Sequence, residues 1–308
     1  MNSIFNRIRA LSYLPLLLLL GAVCEPLGSS TLLIKEALDE NGKGSFVFDG
    51  WAGKPLKVFI TVPPKTHQQT YIVIILHGRS RNAEGYRNSW HSYALDNNFI
   101  AVVPEFKSST FPKDTFNWGN IRSLKGRTVE RQFWLLSVIE PLFDEVRGQL
   151  KIQSDFYSLY GHSAGAQIAH RFLYFIPDNR AKRIVMANAG YYTMPVATVN
   201  FPQGLKDVDV SDINLVKAYS KRVIVLLGDD DIDPDNSSLN KDLQSMRQGK
   251  HRFSRGHRFY MNSLFKASII LKVPFNWSLS VAPEVGHSNR SIVKYAYPLL
   301  LRGPLEVH

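Results

Sequence analysis

Uninterrupted apolar runs recur along the chain and alternate with segments of mixed polarity. Such runs are typical of strands that are buried on both faces of a parallel sheet. The pattern predicts strands over residues 71–78, 99–106, 156–165, 183–190, 222–231 and 276–287. Ahead of them, residues 45–62 alternate apolar and polar positions around Gly50 and Gly53. This alternation predicts an antiparallel hairpin, with the two glycines in the turn.

Helical patterns separate the predicted strands. They cover residues 130–148, 164–176, 256–272 and 289–301. Strands that alternate with helices predict an α/β domain: a mostly parallel central sheet, an antiparallel N-terminal hairpin and helices on both faces. Residues 191–221 are long for one connection, and we expect a small insertion over the active site there. The predicted domain spans residues 45–303 and follows an N-terminal extension over residues 25–44.

The first residues have the pattern of a secretory signal. Arg7 and Arg9 precede "LSYLPLLLLLGAVC", an apolar run of about 14 residues, whereas a membrane-spanning helix needs about 20. Ala22 and Cys24 lie two positions apart, as small residues do before a cleavage site. We therefore predict a signal peptide over residues 1–24 and export to the periplasm or the medium. An uncleaved anchor and a lipid attached to Cys24 are the alternatives.

Composition narrows the possible chemistry. Cys24 is the only cysteine, so its removal with the signal would exclude disulfides, thiol catalysis and cysteine-ligated metals. The net charge is +11, but the basic residues form no long block. This distribution favours solubility or loose attraction to an anionic surface over nucleic-acid binding.

The segment "GHSAG" carries the strongest chemical signal. It places Ser163 between an apolar strand and a helix, with glycines at 161 and 165. A turn this sharp pushes a serine hydroxyl outward, and the glycines remove side chains that would clash. The backbone N–H of Ala164, at the start of the helix, can donate to a developing oxyanion.

An acid and a histidine follow Ser163 in the order of the α/β-hydrolase fold. "VIVLLGDDD" ends at Asp231, the preferred catalytic acid, with Asp233 as the alternative. His287, after the last predicted strand, is the preferred base that takes the proton of Ser163. We expect His162 to pack or bond locally.

The loop after the first buried strand supplies a second oxyanion donor in such a fold. In "LHGRSRN", the backbone N–H of Arg79 is the preferred donor, with Gly78 as the alternative. Arg79, Arg81 and Arg87 could recognise a carboxylate or simply order the loop.

The pattern of several segments resembles a known family. "FDGWAGKPLKVF", "LHGRSRNAEGYRNSW", "GHSAGAQ", "ANAGYYTMP", "LLGDDDIDPD", "QGKHRFSRGHRFY" and "VGHS" are similar to bacterial poly(3-hydroxybutyrate) depolymerase-like esterases of the α/β-hydrolase superfamily. The resemblance spans about residues 45–300. It implies hydrolysis of carboxylic esters through Ser163, Asp231 and His287, on small-molecule or oligomeric substrates. Tyr191 and Tyr192 in "ANAGYYTMP" are candidates for substrate contact.

Alternative functions use the same residues or neighbouring ones. An acyltransferase would share the triad, and a non-catalytic binding protein could keep the scaffold. "DIDPDN" spaces its aspartates like a calcium loop but lacks the central glycine, and no histidine cluster suggests zinc. We therefore expect no metal and no cofactor. We also expect no stable membrane insertion once the signal is removed.

Basic residues crowd the start of one predicted helix. We expect this helix to begin at Arg255 or Gly256, where cations oppose the helix dipole. The sequence therefore suggests that Arg252 or Arg255 pairs with an aspartate other than Asp231, which would hold the acidic turn.

Overall fold

The computed structural model describes residues 33–123 and 125–301. Their strands form one eight-stranded sheet in the order β1-β2-β4-β3-β5-β6-β7-β8. The first two strands pair antiparallel, β2 pairs antiparallel with β4, and the pairs from β4 to β8 are parallel. The strands are β1 (Lys43–Phe48), β2 (Leu56–Thr61), β3 (Tyr71–Leu76), β4 (Phe99–Glu105), β5 (Tyr157–His162), β6 (Ala181–Ala187), β7 (Arg222–Gly228) and β8 (Trp277–Ala282). This sheet confirms the predicted α/β-hydrolase fold and its N-terminal hairpin.

Helices cover both faces of the sheet. They are α1 (Ala83–Asp96), α2 (Lys113–Asn117), α3 (Ile139–Gln149), α4 (Ala164–Phe175), α5 (Asp212–Ser220), α6 (Leu243–Gln248), α7 (Arg252–Phe265) and α8 (Asn289–Leu301). Helix α7 continues into a π-helical turn over Lys266–Leu271. Short 3₁₀ turns lie at Ile34–Ala37, Arg131–Phe133 and Leu135–Val138, so the helix expected from residue 130 begins only at Ile139.

The buried strands divide their side chains between two apolar layers. Along β3, Ile72 and Ile74 face the layer that contains α3, α4, α5 and α7. Val73 and Ile75 face the layer that contains α1 and α8. Since successive strand residues point to opposite faces, a strand covered on both sides is apolar at every position. The uninterrupted runs in the sequence are a direct consequence.

Helix α1 was not predicted, because its composition is mostly polar. Its buried face includes Tyr86, Trp90 and Ala94, which are spaced four residues apart and so lie on one side of the helix. The helix begins after Asn82, whose side-chain oxygen accepts the backbone N–H of Gly85 at 2.8 Å. This cap and the four-residue spacing are the signals that could have identified the helix.

Helix α7 begins three residues earlier than the first of the two expected positions. His251 precedes its first turn, and the imidazole Nδ1 accepts the backbone N–H of Ser254 at 3.3 Å. The hydroxyl of Ser254 in turn accepts the backbone N–H of His251 at 3.3 Å. This reciprocal cap satisfies backbone donors at the helix start.

The predicted signal, its cleavage after Cys24 and most of the N-terminal extension lie outside the described residues. Within them, no helix is long and apolar enough to cross a bilayer. The segment 191–221 contains a loop followed by α5. The domain boundaries remain predictions.

Candidate active site

Ser163 lies on a strained turn between β5 and α4. Its backbone has φ 57° and ψ −116°, a conformation that is costly for a residue with a side chain. A Cβ at Gly161 would overlap the carbonyl of Gly165, and a Cβ at Gly165 would overlap the carbonyl of Leu76. The two glycines therefore let α4 approach β3 and β5 closely enough to form the turn.

The structure brings Ser163, His287 and Asp231 together in one chain of hydrogen bonds. The Oγ of Ser163 lies 2.9 Å from Nε2 of His287, and Nδ1 of His287 lies 2.7 Å from Oδ2 of Asp231. A carboxylate accepts the Nδ1–H, which leaves the lone pair of Nε2 facing the serine hydroxyl. This arrangement suits abstraction of the serine proton by an imidazole.

Backbone contacts join the turn that carries Asp231 to the loop that carries His287. The N–H of Asp230 donates to the carbonyl of Val285 at 3.2 Å, and the N–H of Glu284 donates to a carboxylate oxygen of Asp229 at 2.7 Å. Asn188, which follows β6, bridges both segments: its Oδ1 accepts the N–H of Gly228, and its Nδ2 donates to the carbonyl of Gly286. These contacts fix the separation between acid and histidine.

Two other acids of the turn, Asp233 and Asp235, are bonded to groups other than His287. Asp233 is exposed, and its carboxylate accepts the backbone N–H of Asp235 at 2.8 Å. Asp235 pairs with Lys241 at 3.0 Å. The geometry therefore favours Asp231 over Asp233. Among the described residues, no group of acids, histidines or cysteines is arranged to hold a metal.

Arg252 pairs with Asp231 itself, which corrects the expectation of a different aspartate. Its guanidinium lies 3.2 Å from Oδ1 of Asp231, and both side chains are buried. The same guanidinium donates to Ser238 at 2.7 Å and to Asn236 at 3.3 Å. Arg255 instead donates to the carbonyls of Gly249 and Gly190. Because α7 starts at Arg252, this arginine reaches the carboxylate directly.

The predicted oxyanion donors flank the serine. Ala164 is the first residue of α4, where backbone N–H groups have no partner within the helix. Arg79 lies beside Ser163 in both cavities at the site.

Arg81 holds the loop that carries Arg79. Its guanidinium donates to the carbonyl of Phe106 at 2.7 Å and lies over the ring of Phe116, 3.7 Å from the ring centroid. Burial lowers the pKa of Arg81 to about 10. Of the three arginines considered for substrate contact, only Arg79 lines these cavities.

Two buried histidines hold the strand ends at the site. His77 accepts the backbone N–H of Phe106 through Nε2 at 3.1 Å, and burial lowers its pKa to about 4. His162 bonds through Nδ1 to the hydroxyl of Tyr86 at 2.7 Å, and its ring packs on that of His287 with centroids 4.9 Å apart. Burial holds the pKa of His162 well below its usual range. Both rings are therefore neutral supports at neutral pH.

Two cavities meet at Ser163. The first, of about 520 Å³, lies over the start of α4 and contains no part of His287. The second, of about 480 Å³, is lined by His287 together with Tyr86, His162 and Asn289. A substrate bound across the serine can therefore place its two halves in different cavities.

The first cavity contains several residues that sequence reasoning did not identify. It is lined by Gln167 and Asn117, which are buried, and by Lys113, Trp118 and Lys241. Gln167 lies one helical turn after Ser163, and this spacing is the signal that could have found it. Lys113 and Asn117 come from α2, and Trp118 and Lys241 from loops, all far from Ser163 in sequence.

The two tyrosines proposed for substrate contact have different surroundings. Tyr191 lines the first cavity. Tyr192 lies in the core, where its ring stacks on Phe259 with centroids 4.4 Å apart. The expectation for Tyr192 is therefore wrong.

Comparisons with solved structures identify close relatives. The poly(aspartic acid) hydrolase-1 from Sphingomonas sp. KT-1 is 41% identical, with a TM-score of 0.82; the alignment covers 84% of this chain and 98% of that chain. LpqC, a poly(3-hydroxybutyrate) depolymerase from Bordetella parapertussis, is 26% identical, with a TM-score of 0.81 and coverage of 89% and 94%. An S-formylglutathione hydrolase from Staphylococcus aureus, 14% identical over 84% and 98% with a TM-score of 0.55, shares the fold.

No family model and no curated protein matched the chain. The similarity to the Sphingomonas hydrolase nevertheless extends over nearly all of that protein, and the resemblance inferred from the motifs is confirmed by the depolymerase. The chain therefore belongs to the poly(3-hydroxybutyrate) depolymerase-like serine esterases of the α/β-hydrolase superfamily.

Proposed function

We propose that the protein is an exported enzyme that cleaves carboxylic esters, either small esters or hydroxyalkanoate-type oligomers, through an acyl-enzyme on Ser163. The observation that carries the proposal is the continuous hydrogen-bonded chain from Ser163 through His287 to Asp231, open to two cavities. Family membership supports the reaction class.

Acylation begins when Oγ of Ser163 attacks the ester carbonyl while Nε2 of His287 takes its proton. The carbonyl oxygen becomes an oxyanion, to which the backbone N–H groups of Ala164 and Arg79 donate. Asp231 stabilises the imidazolium that forms. The C–O bond then breaks, and the Nε2–H of His287 returns the proton to the leaving oxygen. Water then attacks the acyl carbon while Nε2 of His287 takes its proton. The bond from that carbon to Oγ of Ser163 breaks, and the Nε2–H returns the proton to Oγ, which releases the acid.

The proton transfers assign the two halves of the substrate to the two cavities. The leaving alcohol must lie close to Nε2 of His287 to receive its proton. Since His287 lines only the 480 Å³ cavity, the alcohol belongs there. The acyl chain belongs in the 520 Å³ cavity, against Gln167 and Tyr191.

An ester panel tests this function. Purified protein should hydrolyse 4-nitrophenyl esters of short acids and oligomers of 3-hydroxybutyrate. Ser163→Ala should lower kcat/KM by at least about a thousandfold with the melting temperature preserved, because the covalent route is lost. Full activity in Ser163→Ala would overturn the proposal, and no activity of the wild type on any ester would do the same.

A second candidate is hydrolysis of amide bonds in an acidic polymer. Two observations favour it. The relative at 41% identity is a poly(aspartic acid) hydrolase. The acyl cavity here is lined by the cations Arg79, Lys113 and Lys241 and by the acid Asp242, with Lys241 paired to Asp235. The chain as a whole carries a charge of +11. Cations at a cavity mouth attract anionic substrates, most strongly at low salt.

Arg79→Ala separates the two candidates. The substitution keeps the backbone N–H that serves the oxyanion and removes only the guanidinium. With a neutral ester, kcat should change by less than about threefold. With poly(aspartic acid), KM should rise several-fold, and more at low salt than at high salt. No turnover of poly(aspartic acid) by the wild type would exclude the second candidate and leave the first standing.

Export is part of the proposal and is supported by the apolar leader at residues 1–24. N-terminal sequencing of the protein recovered from the periplasm or medium should begin at residue 25. A cytoplasmic protein that keeps Met1 would contradict this part alone.

A further inference from the structure

An apolar stripe is exposed on the second half of α7 and the π-helical turn that continues it. Met261, Phe265, Ile269 and Ile270 are each more than half exposed. The first three are spaced by four residues, so they lie close to one line along the helix. Large apolar side chains that are exposed singly are ordinary, whereas a contiguous set indicates an interaction surface. We call these four residues the α7 stripe.

Exposed cations lie at both ends of the α7 stripe. Residues 243–283 contain seven Lys or Arg residues and no Asp or Glu. Arg258 and Lys272, both exposed, lie at the two ends of the stripe. Lys266, between them, pairs with Asp212 of the neighbouring α5 at 2.9 Å. Arg252 and Arg255 are buried at the start of the helix, so the exposed charge next to the stripe comes from Arg258 and Lys272.

The charges next to the α7 stripe indicate which kind of partner can bind to it. A second copy bound through a two-fold axis would bring the same surface of both chains together. Arg258 and Lys272 would then face other cations, with no carboxylate from residues 243–283 to offset them, and such contacts are unfavourable. The two exposed cations therefore favour an anionic partner. A convex helix with a row of large apolar side chains and cations at both ends matches helices that lie in the interface of an anionic bilayer.

We propose that the α7 stripe docks the protein on anionic membrane surfaces without spanning the bilayer. Helix α7 starts beside Asp231, where the N–H of Phe253 donates to the carbonyl of that residue, and runs back towards the start of β8. The stripe on its second half is consequently remote from Ser163. Docking leaves the cavities accessible from water, and the proposal does not depend on the catalytic assignment.

Vesicle binding tests the proposal. Full-length protein should bind vesicles of phosphatidylcholine with about 30 mol% phosphatidylglycerol more tightly than pure phosphatidylcholine vesicles, and the difference should shrink at high salt. The double variant Phe265→Ser/Ile269→Ser should bind the anionic vesicles at least about tenfold more weakly, with unchanged hydrolysis of a soluble ester. Val47→Ser, an exposed apolar residue on β1 at the opposite edge of the sheet, is the matched control.

A local probe separates the stripe from the apolar N-terminal leader, which could itself bind lipid. Cys24 is the only cysteine, so Ile269→Cys in a Cys24→Ser background accepts one fluorophore. Its emission should shift to the blue with anionic vesicles and be quenched by lipids brominated on their chains. The same fluorophore at Val47→Cys should respond to neither. The proposal would be overturned by equal responses at both positions or by no response at position 269. It would also be overturned if raising the protein concentration without vesicles were enough to produce the blue shift at position 269.

Discussion

Arg252 and Asp231 form a buried ion pair directly behind the candidate catalytic histidine. The two side chains are 1% and 2% exposed, and the guanidinium lies 3.2 Å from Oδ1 of Asp231. The other carboxylate oxygen, Oδ2, is bonded to His287. Asp231 thus divides its negative charge between a permanent cation and an imidazole that gains charge during the reaction. Arg252 also bonds to Ser238, which borders both cavities, so we regard it as a positioning residue.

Replacing Arg252 should change the pH profile of turnover. In Arg252→Gln the carboxylate acts on the imidazolium alone and stabilises it more strongly. The acid limb of kcat should therefore move to higher pH. Arg252→Lys keeps a cation and should shift the limb less. Arg258→Gln, on the exposed face of the same helix, is the control.

The stability of the Arg252 variants provides a second readout. Removing one partner of a buried pair costs about 3–5 kcal/mol, so Arg252→Gln should melt at a lower temperature than Arg252→Lys. A folded Arg252→Gln protein whose acid limb coincides with that of the wild type would show that Arg252 acts on the fold alone.

Glycine positions near Ser163 should tolerate no side chain. A Cβ at Gly165 would overlap the carbonyl of Leu76 on β3, so Gly165→Ala must displace α4 and with it the turn at Ser163. We expect loss of soluble protein or of nearly all esterase activity. Gly148→Ala is the matched control, since nothing lies within 4 Å of the added carbon in α3. That variant should gain about 0.5–1 kcal/mol in the free energy of unfolding. Similar behaviour of the two variants would refute the close approach of α4.

His77 should make the protein less stable in acid. Its folded pKa of about 4 lies below its usual value of 6.5 because burial disfavours the charged ring. The unfolded chain therefore binds the proton first, and stability is lost as pH falls through the window between these values. Between about pH 7 and about pH 5, protonation of His77 should lower the free energy of unfolding by about 2 kcal/mol.

Denaturant unfolding across this pH range measures the effect of His77. His77→Gln keeps an acceptor for the N–H of Phe106 but cannot be protonated, so its unfolding midpoint should fall less on acidification. The buried His162 and His170, whose pKa values are also lowered by burial, should preserve part of the dependence. Identical slopes for His77→Gln and the wild type would contradict the assignment.

The fold was largely predictable because local chemistry and tertiary structure agree along most of the chain. Strands covered on both faces must be apolar at every position, and this requirement is visible in the sequence. Gly161 and Gly165 are required by the turn around Ser163, so they identify it. Helix α1 escaped prediction because three well-placed side chains, Tyr86, Trp90 and Ala94, suffice to bury it.

The details of the site depended on distances that no local pattern encodes. From the spacing of acids after β7, Asp231 and Asp233 were both possible catalytic acids. In the structure, Asp231 is the one that pairs with Arg252 on α7. That pairing in turn depends on the cap at His251, which starts the helix earlier than expected. The lining of the acyl cavity is assembled from separate parts of the chain, so Asn117 on α2 and Lys241 in a loop carried no signal of their own.

Turnover through a covalent intermediate requires that an acyl group be held on Ser163. The most direct measurement is mass spectrometry of protein quenched in acid while it turns over 4-nitrophenyl butyrate, followed by peptide mapping. We expect the added mass of one butyryl group on the peptide that contains Ser163, and no adduct on Ser163→Ala. An adduct on a different residue, or rapid turnover by Ser163→Ala, would contradict it.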